Sequence, residues 1–240
     1  MLGGLLLAAG SGWADVDPFA EAQPVRQVDV LVQVEMIEVT HGNLTELMRT
    51  PVLARDPMAL RVKAQELVRA KKARILHTLM VRTREQSEAL VTSAREYIYP
   101  TEYEPPELPS SIGSGPISSG KEPPRTPDQP DTPTAFETRD LGESLTAGVI
   151  VNRSEGTVKV DLDLRLTRLS ELMAWTRRKT PSGNEFATKM PEIENLESAP
   201  RLDVPDGGYG FAGVLRRESD PEKRILVFVR CDVLEPEVVE

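Results

Sequence analysis

The chain has 240 residues, 39% hydrophobic and 28% charged, and its 29 Lys and Arg against 38 Asp and Glu leave a formal charge of −9. That length and composition argue against wholesale disorder and set one or two ordinary domains as the expectation; the acidic balance disfavours sequence-independent binding to a nucleic-acid backbone. The single cysteine, Cys231, excludes an intramolecular disulfide framework, and with only His41 and His77 beside it there is no cysteine/histidine zinc cluster.

The first fourteen residues, MLGGLLLAAGSGWA, carry no charge and close on Gly12, Trp13 and Ala14, small residues at the −3 and −1 positions of a signal-peptidase site. Residues 1–14 are therefore read as a signal peptide that leaves Asp15 first. A run this short cannot span a membrane as a helix, which takes ~20 apolar residues. The first basic residue is Arg26, so the positive n-region of such a signal is missing; the run also fits a buried apolar strand or helix.

From Val28, the residues Val30, Val32, Val34 and Met36 alternate with Asp29, Gln33 and Glu35, the period of a half-buried strand. Asp56-Pro57 is an N-cap and N1 pair opening an amphipathic helix to about Lys72, with Leu60, Ala64, Leu67 and Val68 at helical spacing. Ala73 to Thr83, Glu88 to Val91 and Glu96 to Tyr99 are β-rich, the last stopped by Pro100. Residues 105–133 hold nine of the 20 prolines and almost no large apolar residues, and residues 104–134 are read as a mobile loop. A long hairpin follows, Glu143 to Val151 and Val158 to Leu166 about a turn at Asn152 to Gly156. A polar loop over 178–195 leads to strands at Leu196 to Val204, Tyr209 to Arg216 and Arg224 to Leu234. The run Ile225-Leu226-Val227-Phe228-Val229 is continuously apolar, as in a central strand covered on both faces. The fold class is α+β, mostly β: antiparallel strands and hairpins with one amphipathic helix near the N-terminus. Residues 26–103 form the N-terminal part of one core and residues 135–235 its C-terminal β-rich part.

The order of these segments resembles the core of the secretins, the outer-membrane gates of type II and type III secretion and of type IV pili. Four stretches carry the resemblance: Val30 to Val39; Ala73-Arg-Ile-Leu with Glu88-Ala-Leu-Val and Ala94 to Tyr103, which contains Tyr99-Pro-Thr-Glu102; Thr134 to Leu145 with the hairpin through Leu166; and Pro205-Asp206-Gly207, Gly213-Val-Leu215 and Arg224 to Val229. The second is the most specific, and together they cover roughly residues 28 to 235. The sequence departs from the family in three places. Only about a dozen residues separate the expected cleavage site from the first strand, where secretins carry ring domains; Arg216 to Lys223 replaces the Pro/Gly-rich lip; and His77-Thr78 stands where a Ser-Pro pair is common. The resemblance implies a reduced secretin-like envelope protein, periplasmic or associated with the outer membrane, that self-associates and works with other secretion or pilus proteins.

Catalysis finds little footing. His41 follows the first strand and His77 lies within another; Glu35 with Glu38, and Asp161 with Asp163, sit in alternating strands where a solvated face explains them. Asp206-Gly207-Gly208 lacks the helix and Lys-Ser/Thr of a phosphate loop and reads as a β-turn, and Cys231 reads as a small core residue. No catalytic, cofactor or metal residue is expected, and no nucleic-acid partner. Val158 to Leu166 has a continuous apolar face of the length a barrel strand needs, which any soluble sheet on a core shares. The 11 aromatic residues are scattered along the chain, without a girdle around that hairpin. The other reading is a soluble periplasmic binding module that uses its loops at 105–133 and 178–195. For assembly, the strand at 28–36, guarded only by Asp29 and Glu35, is the expected contact edge.

Overall fold

A computed structural model describes residues 27–106, 129–180 and 182–235. The expected signal peptide and most of the proline-rich stretch lie outside them. In chain order the elements are β1 (Asp29–Thr40), α1 (His41–Met48), α2 (Pro51–Arg55), α3 (Pro57–Arg69), β2 (Ala73–Arg84), β3 (Glu88–Glu104), β4 (Thr132–Asn152), β5 (Thr157–Lys179), β6 (Glu185–Ser198), β7 (Arg201–Pro205), β8 (Tyr209–Arg216) and β9 (Lys223–Leu234). The first sheet has the order β2-β1-β9-β8, the second β3-β4-β5-β6 with β7 also paired to β5. All named strand pairs are antiparallel, so the fold is mostly β, with helices confined to one connection.

The layering follows from β9. Ile225, Val227, Val229 and Cys231 pack into a core shared with the second sheet, while Leu226 and Phe228 pack into a separate cluster under the helices. A strand apolar on both faces needs cover on both, and the result is three layers: helices, first sheet, second sheet. In β1, Val30, Val32, Val34 and Met36 face the second sheet, and Ile37 and Val39 face the helices. Helix α3 starts where the sequence indicates, with the Asp56 carboxylate accepting from the Ala59 N–H at 3.0 Å and Pro57 as first residue. It buries Leu60 and Ala64. Two helices precede it that sequence patterning did not show: α1 carries Gly42 and Asn43, poor helix formers, and is opened by Thr40, whose hydroxyl accepts from the Asn43 N–H.

Four strand readings are corrected. The strand at 28–36 is no edge: β1 lies between β2 and β9, and the free edges of the first sheet are β2 and β8. Pro100 does not stop a strand, because β3 is itself an edge strand and tolerates a missing N–H at a register irregularity, so Glu88 to Glu104 is continuous. The polar stretch 178–195 is mostly the end of β5 and the start of β6, with the turn confined to the residues between Lys179 and Glu185. The Leu196 to Val204 strand is broken at Ala199-Pro200.

The hairpin of β4 and β5 forms the inner wall of the second sheet. Leu145, Ala147 and Val149 lie beside Val158, Val160, Leu162, Leu164 and Leu166, all buried against the first sheet. The apolar face that matched a barrel strand in length is thus core rather than a lipid-facing surface. Pairing between β4 and β5 ends at Gly142↔Thr167. Beyond it β4 continues with β3 alone, to Glu104↔Thr132, and β5 with β6 alone, to Lys179↔Glu185. Two ribbons, each two strands wide, therefore leave the sandwich as arms.

Gly142 marks the fork. A Cβ there would lie 2.1 Å from the Ser93 carbonyl oxygen and 2.6 Å from the Ala94 Cα, and its φ is +155°. Gly142→Ala is expected to lower unfolding free energy by about 3 kcal/mol, since backbone atoms rather than a side-chain tip obstruct it. Gly156→Ala, in open space but at φ +63°, is expected to cost only about 1 kcal/mol. Urea denaturation of the two variants checks the ranking; equal losses would contradict it.

Candidate functional site

The arms expose both faces to solvent over most of their length. Trp175 is 73% and Ile98 63% exposed, and Phe136, Leu172 and Met173 are exposed beside them. Six of the nine aromatic residues among the described positions sit here: Tyr97, Tyr99, Tyr103, Phe136, Trp175 and Phe186. The scattering seen along the chain is thus gathered by the fold, because β3 to β6 bring distant stretches side by side. Tyr97 and Tyr99 stack at 6.2 Å between ring centroids. Towards their far ends the arms meet again: Arg178 of β5 and Thr188 of β6 both bond the Asp131 carboxylate, at 3.2 and 3.4 Å, and the Tyr103 hydroxyl donates to the Lys189 carbonyl at 3.3 Å. Between them is a polar cleft of about 520 Å³ lined by residues that include Tyr99, Arg139, Asp140, Arg165, Thr167 and Glu197.

At the fork the apolar interlayer gives way to a network of charges. Glu38 of β1 accepts from Arg74 (2.9 Å) and Arg217 (3.2 Å), with the Lys223 ammonium 3.9 Å away. Glu194 of β6 accepts from Arg217, from the Glu218 and Ser219 backbone N–H groups at 2.7 and 3.1 Å, and from the Ser219 hydroxyl. This ties the β8–β9 turn of the first sheet to the arm of the second. His77 Nδ1 lies 2.9 Å from the Glu143 carboxylate, and its Nε2 meets the Arg168 guanidinium. Burial raises the carboxyls of Glu38 and Glu194, but their partners outweigh it: Arg74, Arg217 and Lys223 hold Glu38 below the usual carboxylate range, and Ser219, Arg217 and Glu218 do so for Glu194.

Glu35 and Glu38 are therefore not on a solvated face; both are buried. Helix α3 covers Glu35, which accepts from Arg61 Nε and Gln65 Nε2, each at 2.9 Å. The β8–β9 turn covers Glu38 through Arg217. Asp161 is exposed and Asp163 half-buried, and they pair with Arg201 and Arg165. His41 opens α1 at the surface and His77 faces the second sheet, so no catalytic pair is brought together. Asp206-Gly207-Gly208 is a turn closed by the Gly208 N–H on the Pro205 carbonyl at 2.8 Å, with Gly207 at φ +68°. Cys231 is fully buried; burial first, then Asp232 and Asp206, pushes its thiol up to about 12. Among the described residues no three His, Cys, Asp or Glu side chains gather as a metal site, and no helix is long and apolar enough to cross a membrane. Sequence reasoning missed Glu143, Arg168, Glu194 and Arg217. Glu143, Arg168 and Glu194 are charges within β patterns and Arg217 belongs to a charged turn, and only the closing of the sandwich makes them neighbours.

No family model matches the sequence, and no curated protein matches it. Among solved structures the chain is similar to the InvG secretin-domain β-barrel of the Salmonella SPI-1 injectisome at 10% identity, over 90% of this chain and 65% of that one, with a TM-score of 0.40. Aeromonas hydrophila ExeD gives 11% identity, 88% and 50% coverage and 0.42; the V. cholerae type IV competence pilus secretin PilQ gives 14%, 89% and 62%, and 0.40. This chain spans between half and two thirds of the length of those three. At such identities and scores the similarity bears on neither function nor family membership.

The charge network yields a pH dependence with a definite sign. A carboxyl held low in the folded state stabilises the fold above its unfolded value, about 4.3, and that contribution is lost as pH falls through the folded value. Glu194→Gln is expected to lose about 2 kcal/mol at neutral pH, since Arg217 keeps a buried charge with one partner fewer. The difference from the unsubstituted chain should shrink below about pH 4. Urea melts across that range check it; a gap independent of pH would contradict it.

Proposed function

We propose that this chain is an exported secretin-like envelope protein that works by assembly, its arms completed by the arms of neighbouring copies, within a protein secretion or pilus machinery. The observation that carries this reading is the pair of ribbons beyond Gly142↔Thr167. A two-stranded hairpin wetted on both faces is marginal by itself in water. Here two of them project from a well-packed sandwich, with open edges on β3 and β6 and with Ile98, Phe136 and Trp175 uncovered. Side-by-side pairing of such ribbons would satisfy their edges and bury those side chains. The ordered residue blocks that resemble secretins support the same reading, and so does the apolar opening segment for export. Any lipid contact falls to the arms, because the face of Val158 to Leu166 is occupied by the first sheet. The work is mechanical, with no catalytic step assigned. A second reading, a soluble periplasmic binding module, is favoured by the polar cleft between the arms.

Light scattering of the mature protein, with and without mild detergent, separates the two. Assembly predicts a multi-copy species; a monomer across a wide concentration range in both conditions would overturn it. Trp175→Ser and Ile98→Ser, on exposed arm positions, are expected to weaken self-association at least about tenfold while leaving the folding midpoint nearly unchanged.

A further inference from the structure

Where β1 ends and β2 and β9 begin, a cleft of about 320 Å³ opens between the α3–β2 turn and the β8–β9 turn. Four cations line it, Lys71, Lys72, Arg74 and Lys223, against two carboxylates, Glu38 and Asp220. Glu38 is buried and already bonded to Arg74 and, from behind, to Arg217. Arg74 gives it Nε and Nη2, at 2.9 and 3.4 Å, so the rest of its guanidinium donors stay available. Among the described residues neither Lys71 nor Lys72 is paired with a carboxylate. The cleft is therefore cationic in a chain of net charge −9.

Both walls are fixed by backbone bonds. Lys71 stands at φ +58°, the left-handed conformation that a helix end ordinarily gives to glycine. Its N–H donates to the Val68 carbonyl at 3.0 Å and the Lys72 N–H to the Leu67 carbonyl at 2.9 Å, while the Lys72 carbonyl accepts from Asn43 Nδ2 at 3.2 Å. On the other side the Lys223 N–H donates to the Asp220 carbonyl at 3.0 Å and the His41 N–H to the Glu222 carbonyl at 2.8 Å. Glycine would end α3 without strain, whereas lysine accepts the strain and adds a charge to the cleft. The helix C-terminus favours cations near its last turn, yet Arg74 and Lys223 reach the same cleft from β2 and β9.

We propose that this cleft binds a phosphate-type oxyanion, the terminal phosphate of a small molecule or of a lipid headgroup. Four cations against two carboxylates leave an excess of two positive charges, and a phosphate monoester carries close to two negative ones at neutral pH. A carboxylate ligand would match only one of them. The phosphate oxygens accept hydrogen bonds, and ammonium and guanidinium groups only donate. Glu38, shared between Arg74 and Arg217, holds the Arg74 side chain in position before any ligand arrives, which leaves Asp220 as the opposing charge. The volume takes a phosphate together with part of its carrier. The site belongs to a single copy and does not depend on how the arms assemble.

The test uses the full chain. Backbone amide NMR at roughly pH 7.5 follows a titration with inorganic phosphate against one with chloride at matched ionic strength. Phosphate alone should give a saturable shift confined to residues 71–74 and 220–223, half-complete at about 1 mM. Lys71→Gln with Lys72→Gln should weaken it about tenfold, and Lys63→Gln with Lys159→Gln, which removes the same charge elsewhere, less than about twofold. Sedimentation with phosphatidylcholine vesicles, with and without about 20% phosphatidic acid, identifies the carrier. Retention by the phosphatidic acid that is lost in the Lys71 and Lys72 variant makes it a lipid headgroup; phosphate binding with no retention that depends on those lysines makes it a soluble phosphate. Equal shifts with chloride, shifts that do not saturate or that spread over the chain, or equal weakening by both pairs of substitutions would each overturn the site. If the Lys71 and Lys72 variant does not fold, the location and saturation of the shifts in the unsubstituted chain decide the matter.

Discussion

The pairing of β1 with β9 is the constraint from which the rest of the architecture follows. It runs from Asp29↔Leu234 to Thr40↔Lys223 without a register break, joining the first described strand to the last. Five consecutive residues, Ile225 to Val229, are buried in it, each representing roughly 1.5–3 kcal/mol of apolar transfer. Because successive side chains point to opposite faces, neither face of this pair can be left to water. The segment between β1 and β2 supplies the helical cover, and β3 to β7 supply the second sheet. Little of this forms locally; the two ends of the chain must meet before either covering layer has a surface to pack on.

The same reasoning explains where order thins out. The apolar interlayer extends as far as Leu145, Leu166 and Leu196. One or two residues further along the same strands stand Glu143, Arg168 and Glu194. Charges at that boundary close the end of the sandwich to water without a further apolar layer, provided that each finds a partner. Glu38 and Glu194 share Arg217, so the β8–β9 turn acts as a clasp between the sheets. What the sequence shows only as a short charged turn is a structural closure, in which Arg217 and Lys223 are bonded inward.

Sequence patterning showed the fold well where burial is one-sided or complete. The Asp56-Pro57 cap, the alternation of Val158 to Leu166 and the apolar run of β9 each have one physical explanation, and each stands in the structure. Patterning failed where tertiary context decides. Glu35 and Glu38 alternate like solvated residues, yet α3 and the turn after β8 cover them. Pro100 reads as a stop only if its strand is internal. Residues 185–195 read as loop because an exposed strand has no apolar face to betray it. The charge network was illegible for a different reason: its members come from six separate strands and a turn, and none has a signature until Met36↔His77 and Arg168↔Glu194 are set in register.

The arms differ from the sandwich in kind as well as in length. The strand pairs of the sandwich place mostly apolar against apolar on their inner faces, whereas the arms set like charges directly opposite one another, Glu96↔Asp140 on one and Glu171↔Glu192 on the other. Directly opposed acids weaken a ribbon by up to about 1 kcal/mol, a cost that a two-stranded hairpin is poorly placed to absorb. Their contacts with each other run through Asp131 with Arg178 and Thr188 and through Tyr103 with Lys189, away from the fork. A sequence selected for stability of the single chain would have no reason to keep acid pairs, a largely exposed tryptophan and open edges in the same ribbons. Arms that are weak alone but rich in edge and aromatic surface gain order when something else supplies the missing neighbours, and the fork at Gly142 sets the point at which that dependence begins.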